Sequence, residues 1–207
     1  MTSIGILGGT FDPVHHAHCQ VALTVLQALQ LDEVRLMPCQ QSPTRSAPHA
    51  SAGQRLAMLQ KMVADHPGLV VDDRELRRQG PSYSVDSLRE IRSEYPDAAL
   101  FFIVGVDAFN GLLAWHKWAE IFELAHIVIV RRPGETLVSE GELAKVLAER
   151  ATDSKPDTLA GCIVTGLSCE LPHSASEVRT ALKTGASVDN LLDKPVRDYI
   201  QENRLYQ

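Results

Sequence analysis

Short, continuous apolar runs alternate along this chain with longer segments of helical spacing. Ile4-Gly5-Ile6-Leu7 is the first run, bounded by glycines, and reads as a buried strand. Val21 to Leu26, with Leu29 beyond, supports a helix too apolar to show a clean polar face. Val34 to Met37 reads as a second strand, ended by Pro38, and a loop rich in Ser, Pro and Gln runs from Cys39 to Ser51. From Gln54 to Ala64, Leu56, Leu59, Met62 and Val63 recur at helical spacing. Leu69-Val70-Val71 is a third strand, and Val85 to Tyr95 a helix broken by Pro96-Asp97. Ala99 to Val104 is the most apolar run and the expected centre of a sheet, because strands covered on both faces read as uninterrupted apolar stretches. His126 to Val130 is another, stopped by Arg131-Arg132-Pro133-Gly134. The later pattern predicts a polar helix over Glu140 to Arg150, a loop from Thr152 to Gly161 and a strand over Cys162 to Thr165. A helix ending near Gly185, which suits a C-cap, and a terminal helix over Pro195 to Asn203 complete it.

Strands separated by helices predict right-handed β-α-β units and a doubly wound parallel sheet of the α/β class. Ligands of such sheets sit outside the carboxyl ends of the strands, near the point where the strand order reverses. The turn after Leu7 and the strand ends at Pro38 and Val104 fall on that edge. No repeat or low-complexity tract divides the 207 residues, so one domain is expected over 1–207, with a small helical C-terminal part from about 172 onward.

Composition narrows the function classes. A formal net charge of −6 argues against general nucleic-acid binding, while a local cationic site for a phosphorylated substrate remains compatible with it. Cys19, Cys39, Cys162 and Cys169 form no C-x-x-C pair, and the N-terminus has no basic region followed by an apolar one, which together predict a cytoplasmic protein with reduced thiols. No apolar run approaches the ~18 residues of a membrane span, and nothing in the pattern specifies an oligomer.

The chemistry concentrates in Gly8-Gly9-Thr10-Phe11-Asp12-Pro13-Val14-His15-His16-Ala17-His18. A strand, a glycine turn and a helix aim backbone N–H groups and the positive end of a helix dipole at one spot, where an anion can sit. His15 and His18 are three apart, so on a helix they share a face that looks back at the turn. Over a phosphate-binding turn, two imidazoles could stabilise charge on a transferring phosphoryl or nucleotidyl group. They could also be a partial zinc site, although no Cys or carboxylate completes it at typical spacing, or ordinary surface histidines. His16 is expected to face away as a solvated bystander.

The segment lacks both the dinucleotide fingerprint and the Walker loop. It resembles the nucleotidyltransferase superfamily signature G-x-F-D-P-x-H-x-G-H at Gly9, Phe11, Asp12, Pro13, His15 and His18, with Ala17 in place of the usual Gly. Two further segments support the resemblance. Ser174-Ala175-Ser176-Glu177-Val178-Arg179 fits a capping box, Ser174 to Glu177, and equally a second anion site with a fixed cation at Arg179. It is similar to the superfamily's distal motif [ST]-x-x-x-[IV]-R, which implies that Ser174, Ser176 and Arg179 hold the triphosphate tail of ATP; His173 stands where relatives carry an apolar residue. Gly105-Val106-Asp107 follows the most apolar strand and resembles the superfamily's G-x-D segment, so Asp107 would either bond ribose hydroxyls or cap the next helix.

Glu75 to Ser84, Trp115-His116 and Arg131 to Gly134 together are similar to one branch, the bacterial nicotinate-nucleotide adenylyltransferases, and the likeness runs from Ile4 to Leu205. That branch joins nicotinate mononucleotide to ATP in NAD biosynthesis. The resemblance implies a Rossmann-like nucleotidyltransferase fold, with His15, His18 and Arg179 as the catalytic set. ATP would be met by Gly8, Gly9, Thr10, Phe11, His18, Gly105, Asp107, Ser174, Ser176 and Arg179. Nicotinate mononucleotide would be met by Asp12, His15, Arg45, Tyr83, Ser84, Trp115 and His116, with Trp115 as a platform for the pyridine ring. Thr44 replaces the histidine of the family's P-P-H-[KR] loop, whereas Arg45 keeps its cation. Trp115 could equally be partly buried core. Mg²⁺ would ride on the phosphates of ATP, with no dedicated metal site in the protein. A sister enzyme with another acceptor, such as phosphopantetheine adenylyltransferase or a cytidylyltransferase, is the nearest alternative; a catalytically dead nucleotide-binding regulator is a second.

Overall fold

Seven parallel strands form one sheet in the order β3-β2-β1-β4-β5-β7-β6 in the computed structural model, which describes residues 1–43, 46–171 and 173–207. They are β1 (Ser3–Gly9), β2 (Glu33–Pro38), β3 (Leu69–Val71), β4 (Ala99–Gly105), β5 (His126–Arg131), β6 (Ala151–Thr152) and β7 (Ile163–Ser168). The chain winds outward from β1 to β3, then returns to the other side of β1 with β4, so the order reverses between β1 and β4. Leu7 pairs with Ile103 there, which sets the glycines ending β1 beside Gly105 at the end of β4.

The period of two along each strand divides the interior into two layers. Leu7, Phe101, Ile103, Val128 and Val130 face one layer, and Ile4, Ile6, Leu100, Phe102, Val104, Ile127 and Ile129 face the other. All six residues from Ala99 to Val104 are buried, as the uninterrupted apolar run predicts, and each large side chain contributes about 1.5–3 kcal/mol of burial. The first layer is closed by α1 (His16–Ala28), α2 (Ala52–Val63), α7 (Ala175–Thr184) and α8 (Lys194–Glu202). The second is closed by α3 (Ser84–Glu94), the short α4 (Val106–Asn110) and α5 (Ile121–Leu124), and α6 (Gly141–Arg150). Val196, Ile200 and Tyr206 of the C-terminal part are buried in the same cluster as Leu7 and Val34. Among the described residues, no helix is long and apolar enough to cross a membrane.

The late part of the sheet departs from the expectation. Ala151 and Thr152 pair with Ile163 and Val164 as a two-residue edge strand, where a loop was expected from residue 152. β7 runs on to Ser168 beyond the expected end at Thr165, because a register shift between Val128 and Val130 admits an extra residue opposite β5, with Gly166 at φ 84°. A bulge of this kind interrupts the alternation by which a strand is recognised.

Candidate active site

The first turn is built from the inside. Phe11 is buried with φ 51°, a conformation that an aromatic residue adopts only under constraint. Its ring lies against Gly9, where an added Cβ would meet ring carbons at 3.1–3.3 Å, and edge-on to His18 with centroids 4.9 Å apart. Gly9 is therefore required by Phe11, whereas a Cβ on exposed Gly8 would meet only Phe102, at 4.0 Å. Beneath the turn, fully buried Arg55 donates from Nη1 to the Thr10 carbonyl at 2.8 Å.

Asp12 holds the turn together. Its Oδ2 accepts from the His49 N–H at 2.8 Å and lies 3.1 Å from His49 Nδ1. Its Oδ1 accepts from the Ala50 N–H at 2.9 Å and from the Tyr206 hydroxyl at 2.8 Å. Burial pushes its pKa up, but those donors outweigh burial and hold it below the ordinary carboxylate value. With both oxygens engaged by protein groups, Asp12 fastens the turn to the loop at His49–Ala50 and to Tyr206. The Asp12 carbonyl accepts from Arg179 Nη1 at 2.7 Å, while Arg179 Nη2 donates to Ser176 Oγ at 3.1 Å. The distal motif and the first turn thus meet directly.

His15 and His18 come together as the spacing predicts, with ring centroids 3.9 Å apart. His15 caps α1, and its N–H donates to His18 Nδ1 at 3.3 Å. An accepting Nδ1 places the His18 proton on Nε2, making that nitrogen a donor. The His15 side chain is buried, and its Nδ1 has no hydrogen-bond partner among the described residues. Burial, reinforced by the positive charges of Arg132 and His173, lowers its pKa to about 4. His15 is accordingly a neutral imidazole at neutral pH. His16 is not the solvated bystander expected: its ring nitrogens reach Asn190 O at 3.0 Å and Asp193 Oδ1 at 3.1 Å, fastening α1 to the loop before α8. Among the described residues, no group of three or more His, Cys, Asp or Glu is arranged to hold a metal ion, so the zinc alternative for His15 and His18 has no third ligand.

Ser174 caps α7 by accepting from the Glu177 N–H at 3.3 Å, and the Glu177 carboxylate accepts in return from the Ser174 N–H at 2.6 Å. The capping-box reading holds, and the same helix start presents Arg179 to the turn. Gly105 occupies the N-cap of α4, and exposed Asp107 is the acidic residue of that helix's first turn. A Cβ on Gly105 would lie 2.9 Å from Asp107 Oδ1.

Across the strand ends lies an aromatic group. The rings of Tyr83 and His116 are 4.5 Å apart, and half-buried Trp115 stands edge-on to Phe102 of β4 at 6.0 Å. Ser84 opens α3, whose first N–H groups have no partner within the helix. Buried Glu75 sets this corner by accepting from Ser87 Oγ at 2.5 Å and lying 3.6 Å from Arg78, and burial raises its pKa. Ser82 ties the corner to the loop after β2 by donating to Gln41 O at 2.8 Å and accepting from the Gln40 N–H at 3.0 Å. A cavity of about 510 Å³ lies between these two segments, lined by Gln40, Ser46, Arg77 and Gly80 among others, and contains none of His15, His18 or Arg179. Arg45 lies outside the described residues.

Arg55, Arg132, His49 and Tyr206 carry no assigned role in the sequence reading, and His173 no explanation. Arg132 alone had a usable signal: it directly follows β5, at the edge where ligands of such sheets sit.

A cytidylyltransferase-like family model matches residues 6–181. The chain is 42% identical over 207 residues to an Aeromonas hydrophila protein described as a "probable nicotinate-nucleotide adenylyltransferase", covering 99% of this chain and 97% of that one. It is 43% identical over 208 residues to a Cellvibrio japonicus protein of the same description, covering 99% of each. The chain belongs to the nicotinate-nucleotide adenylyltransferase family. Its fold matches that of Plasmodium falciparum nicotinic acid mononucleotide adenylyltransferase complexed with NaAD, with a TM-score of 0.74 at 17% identity over 100% of this chain and 98% of that one.

Proposed function

We propose that this protein transfers the adenylyl group of ATP to nicotinate mononucleotide, giving nicotinate adenine dinucleotide and pyrophosphate. The observation that carries the proposal is the convergence of His15, His18 and Arg179 on the turn of residues 9–12, where the strand order reverses. A 5′-phosphate oxygen of the acceptor attacks the α-phosphorus of ATP in line. The new P–O bond forms as the bond to the bridging oxygen breaks, and that electron pair leaves with pyrophosphate. Little covalent work falls to the protein, so the rate comes from positioning and from charge stabilisation.

In this reading His18 Nε2–H donates to the oxygens that gain charge. Neutral His15 contributes packing and orientation rather than charge, and the cations for the leaving pyrophosphate are Arg179, bonded to the turn, and Arg132, whose charge acts on His15. Gly8 to Phe11 bring backbone N–H groups to the phosphates, and Asp107 is left for a ribose hydroxyl. Ser174 and Ser176 act at the same helix start. Mg²⁺ bound to ATP would offset charge on its phosphates, and Arg179 and the backbone N–H groups of the turn would meet the phosphate oxygens left free.

The acceptor side distinguishes this reading from a sister enzyme. Tyr83, His116 and Trp115 supply aromatic rings for a pyridine ring to pack on, which suits neither a pantetheine arm nor an alditol phosphate. Mixing the protein and ATP with a panel of acceptors and measuring pyrophosphate tests it. Release with nicotinate mononucleotide supports the proposal, release only with another acceptor names a sister enzyme, and no release with any leaves a nucleotide-binding protein.

A further inference from the structure

The end of the chain reaches back to the first turn. Tyr206 is buried, and its hydroxyl donates to Asp12 Oδ1 across a sequence separation of 194 residues. Burial and the adjacent Asp12 carboxylate push the Tyr206 pKa far up, so the hydroxyl remains a donor at any pH at which the protein functions. Arg204 and Tyr206 have φ of 51° and 63°, a left-handed conformation that non-glycine residues adopt rarely. Both left-handed residues lie in the tail that carries this hydroxyl to Asp12.

Packing alone does not need that hydroxyl. The Tyr206 ring belongs to the core cluster that also takes Leu205, and a phenylalanine would fill the same space. The oxygen instead completes the set of donors around Asp12, whose own carbonyl receives Arg179 and whose neighbour Thr10 is fixed from below by Arg55. From Tyr206 through Asp12 to Arg179 the chain of bonds is continuous, with distances of 2.8 and 2.7 Å. We propose that Tyr206 is a positioning residue for adenylyl transfer, its hydroxyl acting through Asp12 to hold the turn that faces the phosphates and the Arg179 guanidinium bonded to it. The inference rests on the proposed reaction.

The test compares Tyr206→Phe and Leu205→Ala with the wild-type chain, measuring pyrophosphate release from ATP and nicotinate mononucleotide well below the melting temperature of each preparation. Tyr206→Phe should lower kcat about tenfold, equivalent to about 1.4 kcal/mol, with the KM for the acceptor within about twofold. Leu205→Ala removes tail packing and keeps the hydroxyl, so it should lower the melting temperature and leave kcat near wild type. Adding Tyr206→Phe to Asp12→Asn should cost less than about threefold further, since the route through Asp12 is already altered. A Tyr206→Phe kcat within about twofold of wild type overturns the inference while leaving the reaction intact. So does an equal loss of kcat in Leu205→Ala, which would make tail packing the cause. A wild-type protein that releases no pyrophosphate from this pair overturns the reaction, and the inference with it.

Discussion

Replacing His15 by glutamine should change how the fold responds to acid. In the folded protein the His15 pKa falls from 6.5 to about 4, first because the ring is buried and then because Arg132, His173 and His16 add positive charge; Glu177 opposes them weakly. The native state therefore binds fewer protons at this site than the unfolded chain. Its stability is complete above the unfolded value of 6.5 and falls as pH drops from there toward 4. The full shift corresponds to about 3 kcal/mol, of which roughly 2 kcal/mol is lost between about pH 7.5 and about pH 5. Urea unfolding of wild type and His15→Gln at those two pH values isolates the contribution, because His126 and the carboxylates titrate in both proteins. Wild type should lose roughly 2 kcal/mol more than the variant across the interval. Equal losses would refute the burial argument, and an NMR titration placing His15 near its ordinary value would do the same. In that case His15 would be a cation during catalysis near pH 6, and the division of labour between neutral imidazole and charged arginines would fail with it.

Two substitutions test the catalytic set. His18→Ala should lower kcat by roughly 10²–10³ while folding normally, the cost of losing one transition-state donor, and a drop below about threefold would remove His18 from the mechanism. Arg179→Ala should raise the KM for ATP roughly tenfold or more and the KM for the acceptor by less, as expected for a charge-assisted contact to ATP; unchanged constants would reduce Arg179 to a support for the Asp12 carbonyl.

The start of the site is legible in the sequence because its signals are local. An apolar run, two glycines, Asp-Pro and two histidines three apart sit within eighteen residues, and the structure keeps that order as β1, turn and α1. The central position of β4 follows from its unbroken apolar run in the same way. Ser174 shows where local reading stops: the cap bond could be foreseen, but the reach of Arg179 to the Asp12 carbonyl depends on packing α7 against the turn. Contacts made by the C-terminal part are still less legible. Nothing near Tyr206 marks it as a partner of Asp12, and nothing near His16 marks Asp193, since each pair is joined only by folding. Nothing in the sequence marks Arg55, whose guanidinium reaches Thr10 only once α2 docks beneath the turn. The two-residue β6 and the bulge at Gly166 are too short or too irregular to carry a period.

The central claim concerns an acceptor that carries a carboxylate on an aromatic ring. In the corner proposed from the family resemblance, the ring would stack on Trp115 and the carboxylate would meet backbone N–H groups at Ser84 and His116, so such a site would offer donors only. A carboxamide must turn its NH₂ toward one of them or leave it unpaired. An unpaired desolvated donor costs ~1–3 kcal/mol, and a charge-assisted bond is roughly twice as strong as a neutral one. Ser84→Ala should barely alter the preference, because the donor is backbone, while Trp115→Ala should weaken both acceptors. The deciding measurement is kcat/KM for nicotinate mononucleotide and for nicotinamide mononucleotide at one fixed ATP concentration. A ratio of at least ~10² in favour of the acid is predicted; equal values, or a preference for the amide, would contradict the account.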